Sequence, residues 1–119
     1  MRDKIELFKV LSEPNRVRIL MLLLNRSLCV CEITSILNIS TATVSSHLSI
    51  LRKAEFLVDE KDGKWIRYSV PENIKNPMVK EIIDCLPKWF VDEEVIKNDE
   101  IKLQKLNSSP SACNTFLAN

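Results

Sequence analysis

Cys29 and Cys31 stand one residue apart in "SLCVCEI", residues 27–33, just ahead of a hydroxyl-rich run that holds the only histidine of the chain, His47. Thiolates are nucleophiles and soft ligands, so a close pair can hold a thiophilic ion or act as a redox couple. Glu32 follows Cys29 by three positions, the register of a helix-capping box with cysteine where serine or threonine usually stands. Within a regular helix, residues i and i+2 point about 200° apart and cannot grip one ion. At an N-cap the first residue lies outside the helix, so Cys29 and Cys31 can converge there. A helix N-terminus also favours the thiolate form, which predicts an activated pair. An ion bound there would distort the helix that begins at residue 30. Cys85 falls in an apolar stripe and Cys113 in a polar tail, each a more remote source of a further thiolate. His47 is not read as a metal ligand, because it is expected to point outward from its helix.

The second constellation is "STATVSSHLSILRK", residues 40–53. Val44, Leu48 and Leu51 recur at i, i+4 and i+7 and give this segment the apolar face of a helix, with Ser40 at its N-cap. "VCEITSIL" before it places Ile33, Ile36 and Leu37 on one face, and Asn38 can take the left-handed conformation that ends a helix. Helix, three-residue turn, helix is the helix-turn-helix arrangement. "FLVDEKDGKWIRYSV", residues 56–70, then reads as a β-hairpin around Asp62-Gly63, which includes the only glycine. A helix-turn-helix followed by a basic hairpin is a winged helix, and it implies double-stranded DNA as partner. The second helix would enter the major groove, with Thr41, Thr43, Ser45, Ser46 and His47 meeting base edges and phosphates. Arg52 and Lys53 would hold the backbone, and wing residues Lys61, Lys64 and Arg67 phosphates or the minor groove. Ser40 joins this set, although capping alone accounts for it.

These groups need a scaffold, and 119 residues supply one domain. One glycine and five prolines predict a mainly α (α+β) chain with few tight turns. Ile5, Leu7, Phe8 and Leu11 mark a first helix. "SEP" at 12–14 opens a second, with Ser12 as cap and Pro14 in its first turn, and the apolar run to Leu24 makes it central. After Pro71, Met78, Ile82, Ile83 and Leu86 form a stripe that is expected to break at Pro87. Trp89, Phe90, Val95, Ile96, Ile101, Leu103 and Leu106 add more apolar surface than so small a domain can hide. N- and C-terminal helices are therefore read as a homodimer interface. The expected organisation is one winged-helix and dimerisation domain over 1–106 and a flexible tail over 107–119.

Net charge is +1, but residues 1–54 carry eight Lys/Arg against four Asp/Glu and residues 55–119 nine against twelve. The basic half suits a polyanion. No apolar run reaches membrane-spanning length and the N-terminus lacks a signal-peptide core, so the expected location is the cytoplasm, with reduced cysteines. A small thiol oxidoreductase would need a βαβ pattern or a Gly-rich loop, and neither occurs. A purely structural dimerisation module leaves the winged helix unused.

"LSEPNRVRILMLL" at 11–23, "LCVCEI" at 28–33, "STATVSSHLSILRKAEFLV" at 40–58 and "DGKWIRYSV" at 62–70 together resemble the ArsR/SmtB family of bacterial arsenic- and metal-responsive winged-helix repressors. The resemblance implies a homodimer that occupies the promoter of a resistance operon without needing a cofactor and leaves when an inducer binds. In arsenite-sensing members the motif supplies thiolates, which carries over to Cys29 and Cys31 with As(III), or another thiophilic metal or metalloid ion, as inducer. Such members often have a third cysteine where this chain has Thr34, so a third ligand would come from Cys113, Cys85 or another small ligand. The cysteine-bearing N-terminal extension of cadmium and lead sensors is missing, as are the C-terminal histidines of zinc sensors. The alternative within the same fold is a thiol redox or persulfide sensor that pairs Cys85 with Cys29 or Cys31.

Overall fold

The computed structural model describes residues 1–107; the expected tail beyond Asn107, and Cys113 within it, lie outside the described residues. The elements are α1 (Arg2–Leu11), α2 (Pro14–Leu23), β1 (Leu28–Cys29), α3 (Val30–Leu37), α4 (Thr41–Lys53), β2 (Val58–Asp62), β3 (Trp65–Ser69), α5 (Pro77–Phe90) and α6 (Glu94–Asn107). This is a winged helix-turn-helix, mainly α with one small antiparallel sheet.

Local chemistry sets most of the boundaries. Pro14 opens α2, but the cap is Glu13 rather than Ser12: its carboxylate accepts the Asn15 N–H at 2.8 Å. The Ser12 hydroxyl instead donates to the Lys9 carbonyl at the end of α1. Asn38 ends α3 in the left-handed conformation, φ 57°. Ser40 caps α4 by accepting the Thr43 N–H at 3.2 Å. Asn76 caps α5, with Pro77 in its first turn. Pro87 does not break α5, which runs on to Phe90. A proline there removes one backbone donor three residues before the helix ends, and the amphipathic stripe holds the helix together.

The core forms where α2 is buried on most sides. Ile19, Leu20 and Leu22 of α2 meet Ile33 and Ile36 of α3 and Val44, Leu48 and Leu51 of α4, with Phe56 and Leu57 closing the base of the wing. Each fully buried aliphatic side chain stabilises the fold by about 1.5–3 kcal/mol. From the last helix, Ile96 and Leu103 are buried, so part of the surface assigned to dimerisation belongs to the domain's own core. Asp99, 3% exposed, fixes α6 to α2: its two carboxylate oxygens accept from Arg18 Nε and Nη2, both at 2.9 Å. Lys102 Nζ donates to the Ile36 carbonyl at 3.4 Å and so braces the end of α3. Exposed apolar side chains remain on the terminal helices, Ile5 and Phe8 on α1 and Trp89 near the end of α5.

The hairpin register pairs Asp62 with Trp65, which makes Gly63 and Lys64 the two turn residues, one position beyond the expected Asp62-Gly63 centre. Gly63 has φ +61°, which a two-residue turn of this hand requires. The sheet also has a third strand that the residue pattern does not reveal. β1 pairs antiparallel with β3, Leu28 opposite Tyr68 and Cys29 opposite Arg67, giving the strand order β1-β3-β2.

Candidate DNA interface and thiol site

Two surfaces meet at the wing. On the first, Thr41, Thr43, Ser45 and Ser46 are exposed along the N-terminal half of α4, with Ser40 at its cap. The Ser40 and Thr43 hydroxyls lie 2.7 Å apart, so the cap and the first polar residues form one hydrogen-bonded unit. Lys53, Lys61 and Lys64 are exposed, and Arg52 is exposed with its Nε 4.0 Å from Asp59. Their placement is what groove insertion of α4 and a backbone-contacting wing would need.

His47 departs from its expected place. It is 8% exposed and turned inward, because at three residues after Val44 and four before Leu51 it shares their helix face. Arg16 Nε donates to its Nδ1 at 3.2 Å, and its Nε2 lies 3.5 Å from a Glu13 carboxylate oxygen. Arg16 Nη1 also donates to the Val10 carbonyl of α1 at 3.2 Å. His47 thus ties the recognition helix to α1 and α2 and does not point outward as expected.

The second surface is built on Cys29. This residue is the buried end of β1 and the N-cap of α3, with extended backbone. Glu32 Oε1 accepts the Cys29 N–H at 3.0 Å, the carboxylate half of the capping box. Glu32 is itself 5% exposed and sits between two guanidinium groups, Arg26 Nη2 at 3.5 Å and Arg67 Nη1 at 3.8 Å. Arg67 also donates from Nε to Asp62 Oδ2 at 3.1 Å and from Nη1 to the Ser27 carbonyl at 3.3 Å. The guanidinium assigned to DNA is therefore shared between Glu32 of α3 and Asp62 beside the wing turn.

Burial pushes the Cys29 thiol up from its ordinary value and Glu32 adds to the effect, while Arg67 opposes both. Burial and the neighbouring Glu32 thus act against the thiolate form that the helix N-terminus was expected to favour. Cys31, half-buried in the first turn of α3, is disulfide-bonded in this structure, so both thiols are on offer only after reduction. Cys29 and Cys85 are free, and the Cys85 pairing of the redox alternative is not formed. Thr34, where a third cysteine would stand, is buried and its hydroxyl has no hydrogen-bond partner among the described residues. No group of three or more His, Cys, Asp or Glu side chains gathers into a cation site among the described residues.

The two surfaces share one cleft of about 430 Å³. Cys29, Val30 and Cys31 form one wall, Thr41 and Ser45 of α4 another, and Lys64, Trp65, Ile66 and Tyr68 of the wing the third. Nothing in the sequence marked Trp65 and Tyr68 as neighbours of the thiols; only the β1–β3 pairing brings them there.

The profile of bacterial regulatory proteins of the arsR family matches residues 13–58, from the cap of α2 to the start of the wing. Arsenic resistance transcriptional regulator ArsR1 of Pseudomonas putida is 34% identical over 112 residues, spanning 89% of this chain and 84% of the relative. The arsenical resistance operon repressor of Escherichia coli is 34% identical over 111 residues, 92% of each chain. The chain belongs to the arsR family. Reduced HlyU from Vibrio cholerae superposes with a TM-score of 0.63 at 27% identity, covering 75% of this chain and 90% of that one. Family and fold make the protein a DNA-binding transcriptional regulator rather than an enzyme. No helix of the described residues is long and apolar enough to cross a membrane.

Proposed function

We propose that this arsR-family protein is a homodimeric repressor that leaves its operator when As(III) binds the thiolates of Cys29 and Cys31. The observation that carries this reading is the shared cleft, which both cysteines, the N-terminal half of α4 and the wing all border. A ligand held by the thiols there alters the two elements that would hold DNA. The names of the Pseudomonas putida and Escherichia coli relatives support arsenic as the inducer class. Operator contacts fall to Ser40, Thr41, Thr43, Ser45 and Ser46 in the major groove and to Arg52, Lys53, Lys61 and Lys64 on phosphates. Dimerisation uses the exposed apolar residues of α1 and α5, Phe8 and Trp89 foremost, at 59% and 62% exposure. Trivalent arsenic takes up to three thiolates; the third comes from Cys113 or from Cys85, which is half-buried on α5.

The test is fluorescence anisotropy of labelled promoter DNA with reduced protein under an arsenite titration. Release by arsenite that disappears in Cys29→Ser is the expected result, and Cys113→Ser reports on the tail as third ligand. Release by oxidant or persulfide, with arsenite inert, would replace this reading with the redox one.

A further inference from the structure

We propose that Arg67 is the coupling residue of the switch, transmitting the state of Cys29 to the wing through a chain of ion pairs, Glu32–Arg67–Asp62. The inference rests on the inducer reading above and adds how occupancy of the thiols reaches the DNA side.

Three observations meet on this one side chain. First, Arg67 lies directly opposite Cys29 in the β1–β3 ladder and opposite Glu60 in the β3–β2 ladder, so it sits at the centre of the sheet. Second, its guanidinium is shared between two carboxylates of unlike station. Glu32, 3.8 Å away, is buried and accepts the Cys29 N–H. Asp62, 3.1 Å away, ends β2 immediately before the wing turn at Gly63 and Lys64. Third, the same guanidinium donates to the carbonyl of Ser27, two residues before Cys29. Among the described residues, the side-chain partners of Arg67 are thus either on the segment that carries the thiol site or at the tip end of the wing.

The consequence is mechanical. When Cys29 leaves its extended N-cap position to share a ligand with Cys31, its N–H no longer faces Glu32. The freed Glu32 oxygen, buried and in need of a donor, draws on the nearest guanidinium. Arg67 then shifts from Asp62 toward Glu32, and the wing loses the contact that orders its turn. No charge is created or removed by this exchange; one ion pair strengthens at the expense of another. Arg26, 3.5 Å from the second oxygen of Glu32, keeps that carboxylate paired when Arg67 is altered, so variants at Arg67 retain the cap and the fold.

Two variants cut the chain at different points, Asp62→Asn at the wing end and Arg67→Gln at its centre. Reduced wild-type protein and both variants are titrated with arsenite, and a Trp65→Phe counterpart of each supplies the Trp89 signal to subtract. Occupancy is followed by sulfur-to-arsenic absorbance, wing movement by Trp65 fluorescence, and release by anisotropy of labelled promoter DNA. Arsenite should bind all three equally, with the Trp65 response and DNA release coupled only in the wild type. The arsenite concentration for half-release should rise about tenfold in each variant, within the range of allosteric couplings. Unliganded DNA affinity of Asp62→Asn should stay within about threefold of wild type, a surface change at the wing. Equal half-release in all three proteins at equal occupancy would overturn the relay alone. So would an Arg67→Gln variant whose only defect is weaker unliganded binding with a smaller salt slope, because Arg67 would then be a phosphate contact. Absence of arsenite occupancy in the reduced wild type would remove the inducer reading and the relay with it.

Discussion

Thr34→Val should make the protein more stable without changing its affinity for DNA. The Thr34 hydroxyl is buried and has no hydrogen-bond partner among the described residues, so folding strips it of water and returns nothing. Such a group carries a penalty of about 1–3 kcal/mol. Valine keeps the branched shape, replaces the hydroxyl with a methyl, and matches threonine in helix propensity, so little else changes. A gain of about 1 kcal/mol raises the melting temperature of a domain this size by about 4–8 °C. Thermal unfolding by circular dichroism reads it directly, and promoter anisotropy should be unchanged, since Thr34 faces the core. A melting temperature that stays put or falls would refute the reasoning and show that water satisfies the hydroxyl. The same position tests the ligand count. Thr34→Cys adds a thiol one helical turn after Cys31, on the same face. If the natural third ligand is loosely held, half-release by arsenite should fall by about tenfold, the effect of a modest coupling gain.

Four further outcomes can be measured. Asp99→Ala should cost about 3–5 kcal/mol in urea unfolding, because it leaves the Arg18 guanidinium without its bidentate partner, whereas replacing both by apolar residues should restore most of the loss. Lys64→Ala should reduce the slope of log affinity against log salt by about 0.9 if it meets one phosphate. His47→Ala should leave that slope unchanged and cost stability of about 1–2 kcal/mol by emptying a buried, hydrogen-bonded site. Because burial raises the Cys29 thiol, stopped-flow capture of arsenite should quicken by close to tenfold per pH unit from pH 6 to 8, tracking the thiolate fraction. Levelling below pH 8 would contradict the direction of that shift. The sign for stability is opposite: a raised thiol favours the fold while protonated, and that contribution is lost as pH climbs through the folded-state value.

What the sequence revealed and what it hid divide along physical lines. Periodicity and capping residues act locally, so α3, the left-handed Asn38, the Ser40 cap and α4 could be read from residues 30–53 alone. The wing was legible because only one glycine exists to make its turn, although the pairing register placed that turn one residue later. A two-residue strand has no period to detect, and β1 exists only because β3 offers it a ladder. His47 was misplaced for a different reason. Its polarity argued for solvent, while its position among Val44, Leu48 and Leu51 argued for the core, and the Arg16 and Glu13 partners that settle the conflict come from a distant segment. The Cys29 thiol was misjudged because the helix terminus was counted without the burial that surrounds it.

Why a thiol pair at this place should control DNA binding follows from how little else holds the wing. An isolated two-stranded hairpin is marginally stable in water, and every residue of β2 is exposed. What fixes the hairpin is β3, and β3 is anchored through the ladder to Leu28 and Cys29. Leu28 is fully buried and holds its end of β1 in the core. Cys29 is different, since it must be extended to pair with Arg67 and must also cap α3 through Glu32. One residue therefore serves strand, helix and thiol chemistry together, and a ligand that claims its sulfur competes with the other two roles. A cysteine one residue further along would leave the ladder intact when it bound, and one earlier would have to leave the core. The placement at position 29 lets the energy of thiol ligation be spent on the wing rather than on the hydrophobic core, so the protein can release DNA without unfolding.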